Sequence, residues 1–154
     1  MLSVATATAL AAAGILWEPQ PGDRFAISSP ELDGDQFWIS ELTIEVHHYQ
    51  DETILGFNGT TEWALDSVPL DKAIWLPRED QLRTLIGDRL ESLQRTPDGW
   101  TVTYRTETTG GGAGSVTHTD PEEAYAAALL DIAGAFTVVP PESWRLSLRR
   151  LLSG

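Results

Sequence analysis

The run Gln36-Phe37-Trp38-Ile39-Ser40-Glu41-Leu42-Thr43-Ile44-Glu45-Val46-His47-His48-Tyr49, continued by Gln50-Asp51-Glu52 and Thr53-Ile54-Leu55-Gly56-Phe57-Asn58-Gly59, decides the fold class. Leu42, Ile44, Val46 and His48 alternate with Glu41, Thr43, Glu45 and His47, the period of a half-buried strand. Phe37 and Ile39 fall on the opposite phase, which predicts a bulge or bend near Ser40. Gln50-Asp51-Glu52 turns the chain into a strand over 53–57. Asn58-Gly59 then marks a hairpin, because both central residues of a type I′ turn need positive φ. The next segment, residues 60–67, reads as a third strand or a short helix. Such a meander is antiparallel and buries one face.

Outward from the meander, helix and hairpin signals alternate. Residues 1–16 are mostly apolar but lack the positive segment of a secretory signal, and they are too short and alanine-rich to span a membrane. They read as a soluble helix, capped by Ser3 and ended at Gly14, in a cytoplasmic protein. A short strand is predicted over 24–28 and a polar loop over 29–35. Residues 73–76 are a brief apolar run, and Pro77 is expected in the first turn of a helix with the stripe Leu82, Leu85, Ile86, stopped by Gly87. Pro97-Asp98-Gly99 joins strands over 90–95 and 100–106, with Trp100, Val102 and Tyr104 on one face. The glycine-rich run 110–114 reads as a flexible loop. Asp120-Pro121-Glu122-Glu123 is a capping box opening a helix with Tyr125, Leu129, Ile132 and Phe136 at helical spacing. Pro140-Pro141 precedes a last helix over 142–152.

The expected architecture is therefore α+β: an antiparallel meander sheet with three or four helices, mainly on one face. Residues 1–139 form a single domain, and a C-terminal helix over 140–154 packs on it. The length of 154 residues and a 42% hydrophobic content suit one domain with a sizeable core.

Charge and composition remove whole classes of activity. No cysteine is present, which excludes disulfides, thiol catalysis and Cys-ligated metals. A net charge of −13 repels a phosphate backbone, so direct nucleic-acid binding is not expected. The charge is uneven: residues 18–71 hold twelve Asp and Glu against the single Arg24, whereas the last fifteen residues are net basic through Arg145, Arg149 and Arg150. The glycine run lacks the Lys-Ser/Thr of a phosphate loop, and Lys72 is the only lysine, so a Walker-type ATPase is excluded. No G-x-S-x-G elbow or H-E-x-x-H pair occurs. Among the histidines, His47 reads as solvated and His48 as partly buried. Glu45 and His47 share a strand face and are the local pair best placed to ligate a metal.

Three stretches carry a resemblance: Trp17-Glu18-Pro19 with Gly22-Asp23, Trp75-Leu76-Pro77-Arg78-Glu79-Asp80-Gln81-Leu82, and Asp120-Pro121-Glu122-Glu123-Ala124-Tyr125. Together, over roughly residues 1–135, the chain resembles a family of small acidic proteins of actinobacteria and the Deinococcus group, with similar proteins in phages. Nine arginines to one lysine agree with a GC-rich bacterial or phage genome. Some members carry the name of a pilus-assembly ATPase, which the missing nucleotide-binding motif contradicts here. The resemblance implies no activity and no catalytic residue, because its motifs read as caps and packing.

The leading expectation is a non-catalytic binding or regulatory protein whose acidic surface meets a basic protein partner. Its contact residues are Glu31, Asp33, Asp35, Glu41, Glu45, Asp51, Glu52, Glu62 and Asp66, with exposed aromatics as anchors. One alternative is a DNA-mimicking inhibitor of a nucleic-acid-binding protein. The other is a small metal-dependent enzyme centred on Glu45 and His47. No cofactor and no membrane partner are expected.

Overall fold

The structure is a computed structural model that describes residues 1–32, 34–40, 44–57, 67–106 and 111–135. In chain order it contains α1 (Val4–Ala12), β1 (Arg24–Ile27), β2 (Phe37–Trp38), β3 (Ile44–His48), β4 (Thr53–Phe57), β5 (Ser67–Pro69), β6 (Ala73–Trp75), α2 (Glu79–Ile86), β7 (Leu90–Thr96), β8 (Gly99–Thr106), β9 (Gly112–His118) and α3 (Pro121–Ala135). Every strand pairing is antiparallel, which makes the fold α+β. The strands form three sheets, ordered β2-β1-β6, β3-β4-β5 and β7-β8-β9, in place of one meander sheet. The Asn58-Gly59 turn, Phe136 and the helix expected over 142–152 lie outside the described residues.

The strand expected over 36–49 is divided between two sheets. Ser40 N–H donates to Ile44 O at 2.9 Å, β2 pairs with β1, and β3 pairs with β4. The phase change at Ser40 explains the division, because Ile39 and Ile44 are both buried in the same core and a straight strand would put them on opposite faces. Ser67, the first described residue after β4, lies opposite Gly56 in β5, and residues 60–66 of the segment expected as a strand or short helix lie outside the described residues.

Two apolar clusters share β1 as their wall. Phe25 and Ile27 enter one with Ile39, Ile44, Leu55 and Val68. Ala26 enters the other with the three helices, Leu76, Val102 and Tyr104. All four β1 residues are consequently buried, the pattern of a strand covered on both sides.

Helix α3 packs on α1, α2, β8 and β9. Val102 and Tyr104 face it, while Thr101 and Thr117 bond on the outer face through their hydroxyls at 2.7 Å. The segment expected to be a flexible loop over 110–114 is instead the start of β9 from Gly112. Its glycines have a packing reason: Gly114 lies opposite Tyr104, and a Cβ there would sit 2.5 Å from the Tyr104 ring, which is only 1% exposed. The Tyr104 hydroxyl donates to Asp131, and burial together with that carboxylate pushes the phenol up to about 12.

Helix caps follow the sequence with two shifts. Arg78, not Pro77, is the N-cap of α2, so the proline sits just before the helix. An arginine cannot accept a hydrogen bond, so the box is one-sided: Gln81 Oε1 accepts from Arg78 N–H at 3.0 Å. Gly87 ends the helix at φ 62°. At α3, Asp120 Oδ1 accepts from Glu122 N–H at 2.9 Å, but Glu123 does not close its own box. Its carboxylate turns to α1, accepting from Ser3 N–H at 2.6 Å and the Thr6 hydroxyl at 2.7 Å. Glu122 accepts from Leu2 N–H at 2.7 Å, and the Met1 amino group contacts Asp120. Burial pushes the Glu123 carboxyl up, yet the bonds from Thr6 and Ser3 and the nearby His118 outweigh it and hold the carboxyl below its ordinary value.

Gly114→Ala is expected to destabilise the fold by about 1–3 kcal/mol through overpacking. Gly134→Ala, where an added Cβ meets nothing within 4 Å, is expected to gain about 0.5–1 kcal/mol as a helical position. Urea denaturation of both variants checks the pair. Because the Glu123 carboxyl is lowered, its contribution is complete above 4.5 and is lost as the pH falls through its folded-state value. Hydrogen-exchange protection of α1 should therefore drop on acidification. Glu123→Gln should lose protection at neutral pH and change less on further acidification.

Candidate functional site

Asp23 and Arg24, adjacent in the chain, are both buried and decide which charges reach the surface. Strand alternation sends them to different partners. Asp23 Oδ2 accepts from Trp17 Nε1 at 2.9 Å and from Gln20 N–H at 3.0 Å, closing the turn before β1. Its Oδ1 accepts from Gln81 Nε2 at 2.6 Å, and Arg78 lies 3.6 Å away. Trp17 stacks on Trp75 with ring centroids 6.3 Å apart. The first two stretches singled out in the sequence thus meet through one carboxylate and one aromatic pair.

Arg24 is 6% exposed. Its Nε donates to Leu76 O at 3.3 Å, and one terminal nitrogen donates to Pro77 O at 3.1 Å and to Glu122 Oε1 at 2.8 Å. The guanidinium also lies 5.6 Å from the centre of the Trp38 ring. The single cation of the acidic segment is therefore bound to α3.

The acidic residues of that segment then stand without it. Glu31, on the turn Pro30–Leu32, and Asp35, after Gly34, are exposed. Asp51 and Glu52 are exposed between β3 and β4, where Tyr49 N–H donates to Glu52 O at 2.9 Å. None of these four carboxylates makes an ion pair among the described residues. Glu45 is placed by its backbone in β3, opposite Gly56. Asp33, Glu41, Glu62 and Asp66 lie outside the described residues. Among the described residues of the same half, Trp38 is 52% and Tyr49 62% exposed.

The histidine expectation is reversed: His47 is half-buried and His48 exposed. His48 Nδ1 lies 3.1 Å from the Thr53 hydroxyl on the paired strand. Among the described residues, no group of three or more His, Cys, Asp or Glu could hold a metal ion. A separate cleft of about 430 Å³ lies between α1 and β6, lined by Leu10, Ile15, Trp17, Ile74, Trp75 and Pro77. It is largely apolar and brings together no acid–base pair.

The residues that sequence reasoning misses are two adjacent contact sets, Asp23 with Gln81 and Arg24 with Glu122. Asp23, Gln81 and Glu122 stand in the three stretches that carry the resemblance and Arg24 directly follows the first, but no local pattern marks the partners, which are 58 and 98 residues away. Comparison with protein-family models, curated proteins and solved structures returns no match. Among the described residues, no helix is long and apolar enough to cross a membrane.

We predict that Arg24→Met costs about 3–5 kcal/mol, because it leaves Glu122 and two carbonyls without their donor. Arg24→Met combined with Glu122→Gln should recover part of that loss, with a coupling of about 1–3 kcal/mol in a double-mutant cycle. Additive losses would deny the pair its role.

Proposed function

We propose that the protein is a non-catalytic binding or regulatory module that recognises a basic protein surface through its acidic half. The observation that carries this reading is the placement of Arg24. With that cation buried against Glu122, the exposed carboxylates of Glu31, Asp35, Asp51 and Glu52 have no ion-pair partner among the described residues. Such a surface attracts a cationic partner over roughly a Debye length, about 8–10 Å at ordinary ionic strength.

Electrostatics supplies association rate and orientation, and apolar anchors supply affinity. Among the described residues of the acidic half, Trp38 and Tyr49 are exposed aromatics and fit the anchor role. Glu45, Asp33, Glu41, Glu62 and Asp66 belong to the same acidic stretch of sequence. The partner is a protein, because the net charge of −13 opposes direct contact with nucleic acid.

The test begins with capture of a partner from host extract after nuclease treatment, followed by affinity measurements on the purified pair. Raising the salt from about 0.05 M to about 0.5 M should weaken binding at least about tenfold. The combined variant Glu31→Gln, Asp35→Asn, Asp51→Asn, Glu52→Gln should weaken it comparably while its thermal unfolding stays near wild type. Binding that ignores both salt and these substitutions would defeat the reading.

A further inference from the structure

Strand β9 is the last strand of its sheet, and among the described residues no strand pairs with its far side. The direction of its backbone groups follows from two contacts. The Thr106 hydroxyl donates to Gly112 O at 2.9 Å, and the His118 carbonyl lies against Gly99 of β8. Residues 112 and 118 thus turn their carbonyls toward β8. By alternation, Ala113, Ser115 and Thr117 turn theirs, and their N–H groups, to the open edge.

We propose that this edge is a self-association surface, on which a second copy of the chain pairs β9 antiparallel with β9 about a two-fold axis at Ser115. The geometry is self-complementary. Ser115 faces its own counterpart, and Ala113 faces Thr117 of the other copy in both directions. All three pairs join residues whose hydrogen-bonding groups face outward, so each can exchange two bonds. The result is a continuous six-stranded sheet, two copies of β7-β8-β9.

Charge selects this edge for a second copy. Two copies that each carry −13 repel wherever their acidic faces meet. Residues 112–118 hold no Asp, Glu, Lys or Arg, and the only such residue on the neighbouring β8 is Arg105. The devices that usually blunt an edge are absent from β9: it has no proline and no inward charge, and its register with β8 is unbroken. The opposite edge of the sheet, β7, has them in Glu91, Arg95 and a register shift between Leu90 and Ser92.

Sedimentation equilibrium of the full chain, from about 10 μM to about 1 mM, tests the proposal. A reversible dimer is expected, tighter at high salt because screening relieves the repulsion between copies. Ser115→Pro removes an outward N–H that the β8 ladder does not use, and Ala113→Lys places a charge on the edge. Each should weaken the dimer at least about tenfold while circular dichroism and thermal unfolding stay near wild type. A monomer throughout that range, or a dimer that both well-folded variants preserve, would overturn the proposal. Salt strengthens this contact and weakens the one proposed for the acidic half, so the two fail separately.

Discussion

The Arg24–Glu122 pair is the interaction on which the rest of the structure depends. Arg24 belongs to the strand shared by both apolar clusters, and its guanidinium holds the carbonyls that lead from β6 into α2. Glu122 belongs to the first turn of α3, and its other oxygen holds the backbone just before α1. One ion pair therefore ties together β1, the β6–α2 junction, α1 and α3. A buried pair of this kind contributes little net stability compared with apolar residues, but removing one partner is expensive. Its consequence is geometric: it fixes where four elements meet.

Around that pair, three stretches distant in the chain share one junction. Asp23 joins Trp17 to Gln81, Trp17 stacks on Trp75, and Glu122 and Glu123 bind the start of α1. The caps are used between elements more than within them. Glu123 at the third position of α3 abandons the usual local box, because α1 offers an amide and a hydroxyl close by. These carboxylates also face the positive end of the α3 dipole, which favours negative charge at that place.

Local signals in the sequence were legible where local energetics decide. Asp120 and Pro121 start α3, Gly87 stops α2, Pro97-Asp98 turns β7 into β8, and Val102 and Tyr104 face the core together. What was not legible depends on neighbours far along the chain. The glycine run over 110–114 reads as a loop by composition. Gly114 lies in a strand because the Tyr104 ring occupies the space a side chain would need. The phase change at Ser40 signals a break, but whether it is a bulge or a change of sheet depends on β1, which supplies a partner for Phe37 and Trp38. His47 and His48 exchanged their expected exposure for a similar reason: alternation assigns two faces without saying which of them is covered. For the candidate surface, the acidic excess was legible and the destination of Arg24 was not.

That destination separates the carboxylates into two kinds with different physical tasks. Asp23, Asp120, Glu122 and Glu123 accept hydrogen bonds from named donors and position secondary structure. Glu31, Asp35, Asp51 and Glu52 are exposed and make no ion pair among the described residues. If the acidic half served only solubility, its one cation could remain among these surface carboxylates and relieve their mutual repulsion. Burying it against α3 leaves that repulsion uncompensated on the surface, a cost that a cationic partner would remove on binding. Strand β9, by contrast, holds no Asp, Glu, Lys or Arg, so the uncompensated charge lies on a different part of the chain from the open sheet edge.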